Sequence, residues 1–225
     1  MGTIQSFSCS ADRSSRKVQA GEELVQQVIP RHTKFRLPAT GEAMPEPSIQ
    51  EIFAALEKDR DRLGLIVGDV LSSVKSGCFP LVLTGRREQV DQFEERLKES
   101  IENVVILRGG MGRKQRQAVH DEVAGLPEGE PRGIVATGSC IGEGFDDAKL
   151  DTLFLAWPIS RKGTLQQYVG RLHRMHANKK VVRVYDYLDS QVATLSRMFA
   201  KRVSGYKSFG YVIEEPVKTP ASKGT

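Results

Sequence analysis

From residue 79 onward, apolar runs alternate with helical periodicities. "FPLVLT" (79–84), "NVVIL" (103–107), "GIVAT" (133–137), "DTLFLAW" (151–157) and "VVRVYDYL" (181–188) are short and almost continuously apolar. That is the pattern of strands buried on both faces. The intervening segments carry apolar residues three or four apart. "RREQVDQFEERLKES" (86–100) places Val90, Phe93 and Leu97 on one stripe. "GGMGRKQRQAVHDEVAGL" (109–126) reads as a loop entering a helix, and "TLQQYVGRLHRM" (164–175) as a helix. "DSQVATLSRMFAKRVSGY" (189–206) predicts a closing helix that docks Leu195, Met198, Phe199 and Val203 on the sheet. The overlapping stretch "RMFAKRVSGYKSFGY" (197–211) reads equally as a basic nucleic-acid arm. Strands alternating with helices predict an α/β fold, a parallel sheet flanked by helices on both faces.

Upstream the pattern is different. Residues 1–47 are irregular and punctuated by Pro30, Pro38, Pro45 and Pro47, so they read as an extended lead-in or linker. One short strand is expected there, at "LVQQVIP" (24–30). Residues 48–78 form a helical segment. Ser48 is the expected N-cap of "IQEIFAALEKDRDRL" (49–63), with Ile52, Phe53, Leu56 and Leu63 on its apolar face, and a second helix runs through "IVGDVLSSVKSG" (66–77). Residues 79–212 make up the α/β domain, and the tail, 213–225, is expected to be disordered.

Composition narrows the function classes. No run of apolar residues is long enough to span a bilayer, and the first residues lack a secretory core. Three cysteines, Cys9, Cys78 and Cys140, include no C-x-x-C pair. The count gives neither a disulfide framework nor a zinc site and fits a cytoplasmic protein. The net charge is +5, but residues 161–210 alone hold eleven Lys/Arg against two Asp/Glu. The remainder carries 22 against 26. A mildly acidic body with one basic segment points to an anionic partner, phosphate or nucleic acid, against the simpler reading of a solvated basic face.

In a parallel sheet, ligands bind beyond the carboxyl ends of the strands. The loops to inspect therefore follow Thr84, Leu107, Thr137 and Trp157. No G-x-x-x-x-G-K-[ST] string occurs, so the chain has no phosphate-cradling loop of its own for ATP. "DEVA" (121–124) imitates a magnesium-holding acidic box, but it lies at the end of a helix rather than after a buried strand. "TGSCIGEGFDD" (137–147) is rich in glycine, and its Asp146 and Asp147 could accept hydrogen bonds from a ribose or an arginine. Cys140 within it has the simpler role of a small buried residue. "QQYVGRLHR" (166–174) sets Arg171 and Arg174 three apart on a helix after Gly170. Arginine's fixed fork suits phosphate oxygens. His173 and His176 lack a third ligand, so no metal is expected. Trp157 could stack a base, but packing at the domain edge is its more common role.

Four blocks taken together resemble a known family. "QYVGRLHR" matches the Q-x-x-G-R-x-x-R of motif VI of superfamily 2 helicases, and "IVATGSCIGEGFDDAKLDTLFLAWP" resembles motif V and the strand after it. "PLVLTGRREQVDQFEERL" resembles motif IV, and "ILRGGMGRKQRQ" resembles the strand, loop and helix that follow it. The blocks run in the family's order across residues 79–190, nearest to prokaryotic DEAD/DEAH-type DNA helicases related to restriction-system motors. The resemblance implies the C-terminal RecA-like domain of such a helicase, second of two motor domains. It implies ATP shared with a P-loop domain absent from this chain, supplied in trans or in a full-length protein, with Mg²⁺ held mainly by that partner. Carried over, Arg171 and Arg174 are the arginine fingers. Gly144, Asp146, Gln167 and Gly170 line the nucleotide. Thr84, Arg86, Gly110, Arg113, Lys114 and Thr137 contact nucleic acid, with DNA the expected strand. The competing reading is a stand-alone nucleic-acid-binding or regulatory module without motor activity.

Overall fold

The computed structural model describes residues 24–38, 46–127, 129–138, 140, 147–173 and 179–215. Seven strands form one sheet in which every pairing is parallel: β1 (Val25–His32), β2 (Pro80–Thr84), β3 (Asn103–Leu107), β4 (Arg132–Thr137), β5 (Thr152–Leu155), β6 (Val181–Leu188) and β7 (Val212–Ile213). Their order across the sheet is β3-β4-β2-β5-β6-β1-β7. Six helices are described: α1 (Ile49–Lys58), α2 (Arg60–Lys75), α3 (Arg87–Lys98), α4 (Arg113–Gly125), α5 (Lys162–Leu172) and α6 (Ala193–Ser208).

The pleat sorts the apolar strands into two cores. Leu81, Leu83, Ile134, Ala136, Leu153 and Leu155 point to one face, where α4, α5 and α6 cover them with Val123, Leu165, Val169 and Tyr206. Val82, Val135 and Phe154, each one residue out of step, point to the other face, against Ile66 and Val70 of α2 and Phe93 and Leu97 of α3. A smaller cluster joins α1 to α6 and to the segment after β1 through Phe35, Ile52, Leu56 and Leu195. The five strands expected between residues 79 and 188 are all present, and so is the one expected near residue 24.

Several details differ from the sequence expectation. The helical segment breaks at Asp59 rather than after Leu63. Asp59 ends α1 and caps α2, its carboxylate accepting from the Arg62 N–H at 2.7 Å. The break lets Arg62 turn inward, where it is 3% exposed, to donate to Asp189 at 2.9 Å and to the Ala156 carbonyl at 2.7 Å. The closing helix buries Leu195, Arg202, Gly205 and Tyr206, while Phe199 and Val203 stay partly exposed. Arg202 defines this rotation, gripping fully buried Asp186 through two bonds of 2.7 and 2.8 Å, with Tyr206 donating to the same carboxylate. Ser48 caps α1 as expected, with Glu51 completing a capping box.

Candidate functional site

β3, β4 and β2 are neighbours, so their carboxyl ends bring three loops side by side. Thr84 ends β2 and Thr137 ends β4, in register with one another. Both are buried, at 2% and 5% exposure. Their hydroxyls hold loops: Thr84 donates to the Gln89 side chain, and Thr137 accepts from the Gly109 N–H at 2.9 Å. Arg87 donates to the Gly109 carbonyl from the other side. The loop after β3 is thus tied to its two neighbours before it turns at Gly110, whose φ of 83° is a left-handed conformation suited to glycine.

The cations around these loops differ in what they do. Arg108 is spent on Asp91 and Glu94, 2.6 Å from each. Arg86 lies 3.3 Å from Glu57 and over the Trp157 ring, 5.9 Å from its centroid. Arg113 and Lys114, in the first turn of α4, are exposed and form no ion pair among the described residues. A cavity of about 240 Å³ sits at the same edge, with Thr84, Gly85, Thr137, Gly138, Trp157 and Tyr168 around it. Trp157 lies flat against Gly85 and packs on Phe53, ring centroids 4.7 Å apart, so it is a wall of the edge rather than a free platform. Burial pushes the Tyr168 phenol above its ordinary value, so it stays protonated where Gly138 makes room for its hydroxyl.

Tyr168 also ties this edge to the second group of candidates. Leu165, Tyr168, Val169 and Leu172 bury the inner face of α5. Gln167 and Gly170 are left exposed and Arg171 half-buried, with Gln167 and Arg171 one turn apart on the outer face. The helix is held at its end by His173, which shares a 2.9 Å hydrogen bond with the Tyr211 hydroxyl and stacks on its ring. Burial, helped by Lys179, lowers the His173 pKa, which keeps the ring neutral. His173 therefore has a packing role. Arg174, Gly144, Asp146 and most of the glycine-rich loop lie outside the described residues. Among the described residues no cluster of metal ligands occurs, and no helix is long and apolar enough to cross a membrane. Sequence reasoning missed the buried cations Arg62, Arg132 and Arg202, because a lone arginine in a helical or strand pattern looks like any surface charge. Arg132 lies over Phe79 and 3.2 Å from Asp147.

At the level of sequence, no protein-family profile and no curated protein matches the chain. Solved structures do. UvsW of T4 superposes with a TM-score of 0.63 at 17% identity, over 86% of this chain and 41% of that one. The E. coli DEAD-box protein SrmB, solved bound to regulator of ribonuclease activity A, matches with 0.51 at 18%, over 87% and 89%. The C-terminal domain of the DEAD-box protein Dbp5 matches with 0.54 at 14%, over 85% and 90%. This chain thus spans about two-fifths of UvsW and nearly the whole of the two DEAD-box chains. Its parallel sheet with helices on both faces is a RecA-like α/β fold, shared with these chains.

Proposed function

We propose that this chain is the second motor domain of an ATP-dependent nucleic-acid helicase or translocase, completed by a P-loop domain in trans or in a longer protein. The observation that carries the reading is the pairing of two surfaces joined at Tyr168. One is the edge where the loops after β2, β3 and β4 converge, and the other is the outer face of α5 bearing Gln167 and Arg171. ATP hydrolysis, with Mg²⁺ held mainly by the partner domain, supplies the energy. This chain's part is to bring fixed positive charge to the γ-phosphoryl oxygens, where charge spreads as the bond to the leaving group breaks. Arg171, with Arg174, serves as the arginine finger, and Gln167, Gly170, Gly144 and Asp146 complete the nucleotide's surroundings.

Strand contact falls to the edge. With the Thr84 and Thr137 hydroxyls engaged internally, these two residues set the loops, and the exposed backbone at Gly85 and Gly110 meets phosphates together with Arg113, Lys114 and Arg86. Such contacts are largely independent of sequence and weaken with salt. Dbp5 of S. cerevisiae, which shares the fold, has been solved bound to RNA and ADP BeF3. For this chain the motif spelling favours DNA and kinship with restriction-system motors. In the test, the chain is combined with a P-loop domain, and strand-stimulated ATP turnover is measured with DNA and with RNA. Arg171→Ala is expected to cut turnover about 10³-fold or more. Turnover that tolerates Arg171→Ala, or hydrolysis by the chain alone, refutes the assignment.

A further inference from the structure

A second concavity belongs to neither surface. A basin of about 570 Å³ opens between α1, the segment after β5, and the first turns of α5 and α6. Phe53, Ile159 and Met198 give it an apolar floor, and Arg161, Arg197 and Lys201 stand around it with no acidic residue in its lining. The three cations are exposed, and none forms an ion pair among the described residues. Arg197 donates to the Thr194 hydroxyl at 3.2 Å, which holds its guanidinium over the first turn of α6. Of the three helices that border the basin, α5 and α6 start without a side-chain cap and without an acid in the first turn, whereas α1 has Glu51 in its first turn. α1 and α2, by contrast, are capped by Ser48 and Asp59. The helix dipoles therefore add to the three side-chain charges instead of being neutralised.

A ligand for this basin must present anionic groups and a flat apolar surface together. Unpaired nucleic acid does so, with phosphates along its backbone and a π-face on every base. Location supports the same choice. The basin shares Ile159 with the small cavity between Thr84, Thr137 and Trp157, and Phe53 of its floor packs directly on Trp157. The two concavities are thus consecutive along one edge of the sheet.

We propose that the basin is a further contact for single-stranded nucleic acid, with phosphates on Arg161, Arg197 and Lys201 and a base against Phe53 and Met198. The proposal rests on the strand-binding part of the function above and extends the track past β5. The test uses the full chain and a fluorescent oligothymidylate, with Arg197→Glu/Lys201→Glu and Arg113→Ala/Lys114→Ala compared side by side. The Trp157 emission spectrum reports that each variant is folded. The basin variant is expected to lose affinity about tenfold or more, and its salt slope is expected to fall by about 1.4, for two phosphates at about 0.7 each. A strand carrying 5-iodouracil is expected to crosslink to peptides containing Phe53 or Met198. Unchanged affinity in the basin variant, with weakened binding in Arg113→Ala/Lys114→Ala, overturns this proposal and leaves the proposed function standing. No strand binding by the parent chain overturns both. Oligoglutamate binding that is lost in the basin variant, with no strand crosslink, assigns the basin to an acidic protein segment and overturns it too.

Discussion

Gly85→Ala is a small change at the centre of the candidate edge, and its effect can be worked out from the packing. A Cβ on Gly85 would stand 2.5 Å from Nε1 and Cδ2 of Trp157, where carbon contacts settle at about 3.5–4.0 Å. The ring has to retreat by about 1 Å, and it is enclosed by Phe53, at 4.7 Å between centroids, and by Arg86. Overpacking of this kind costs about 1–3 kcal/mol. Because the Gly85 backbone does not require glycine, restricting the unfolded chain returns about 0.4–1 kcal/mol. At the centre of these ranges the net loss is about 1.3 kcal/mol. With a urea slope of about 2 kcal/mol/M, the unfolding midpoint falls by roughly 0.65 M. Trp157 is the only tryptophan in the chain, so its emission reports the local event directly. It should shift to the red as the ring tilts toward water. In a Trp157→Leu background, followed by circular dichroism, the cost of Gly85→Ala should disappear. An unchanged midpoint and spectrum, or a cost that persists without Trp157, refutes the packing argument.

Other expectations follow from the same contacts. Gly138→Ala meets the Tyr168 hydroxyl and should destabilise by about 1–3 kcal/mol; Tyr168→Phe, which removes the clashing oxygen, should restore most of the urea midpoint. Arg202→Met leaves the Asp186 carboxylate buried with Tyr206 as its remaining side-chain donor, a loss of about 3–5 kcal/mol in equilibrium unfolding. Arg202→Met/Asp186→Leu should recover a large part of it. Because burial depresses the His173 pKa in the folded state, its contribution to stability is fully present above pH 6.5 and is lost as pH falls through the folded value. Thermal melts between about pH 5 and 7.5 should show that decline, and His173→Gln should flatten it.

The elements legible in the sequence are those whose pattern is set locally. β2 through β6 announce themselves because both faces of the sheet are covered, so each strand is apolar throughout. β1 is visible as a strand, but its place inside the sheet is not. Pro30 argues for an edge, yet β1 pairs β6 along all eight residues and β7 on its other side. The proline is accommodated because β7 reaches only Gln27 and Val28 and leaves the ladder open beside it. β7 itself is two residues long and exists only because β1 is there to receive it. The helix break at Asp59 was equally hidden, since its cause, Arg62 meeting Asp189, spans 127 positions. At the edge, the strand-end rule pointed to the loops after Thr84, Leu107, Thr137 and Trp157. It did not reveal that both threonine hydroxyls are turned inward. The basin's cations are separated by up to 40 positions in the sequence, each resembling an ordinary surface charge until α5 and α6 start beside one another.

Burial also changes what the basic segment presents. Residues 161–210 contain two acids, Asp186 and Asp189, and both are withdrawn from solvent, at 0% and 1% exposure. Asp186 takes Arg202 inside with it, while Asp189 is met by Arg62 from outside the segment. The stretch therefore presents no carboxylate to water, although its sequence contains two. An exposed Asp beside Arg197 or Lys201 would neutralise either by a weak surface pair and screen the field between them. With the acids locked under α6 and against α2, no carboxylate of this stretch opposes the field of the α5 and α6 cations and helix starts. The same buried pairs that fix where α6 sits thus also take this stretch's carboxylates off the surface beside α5, so that packing and surface charge at this edge are coupled.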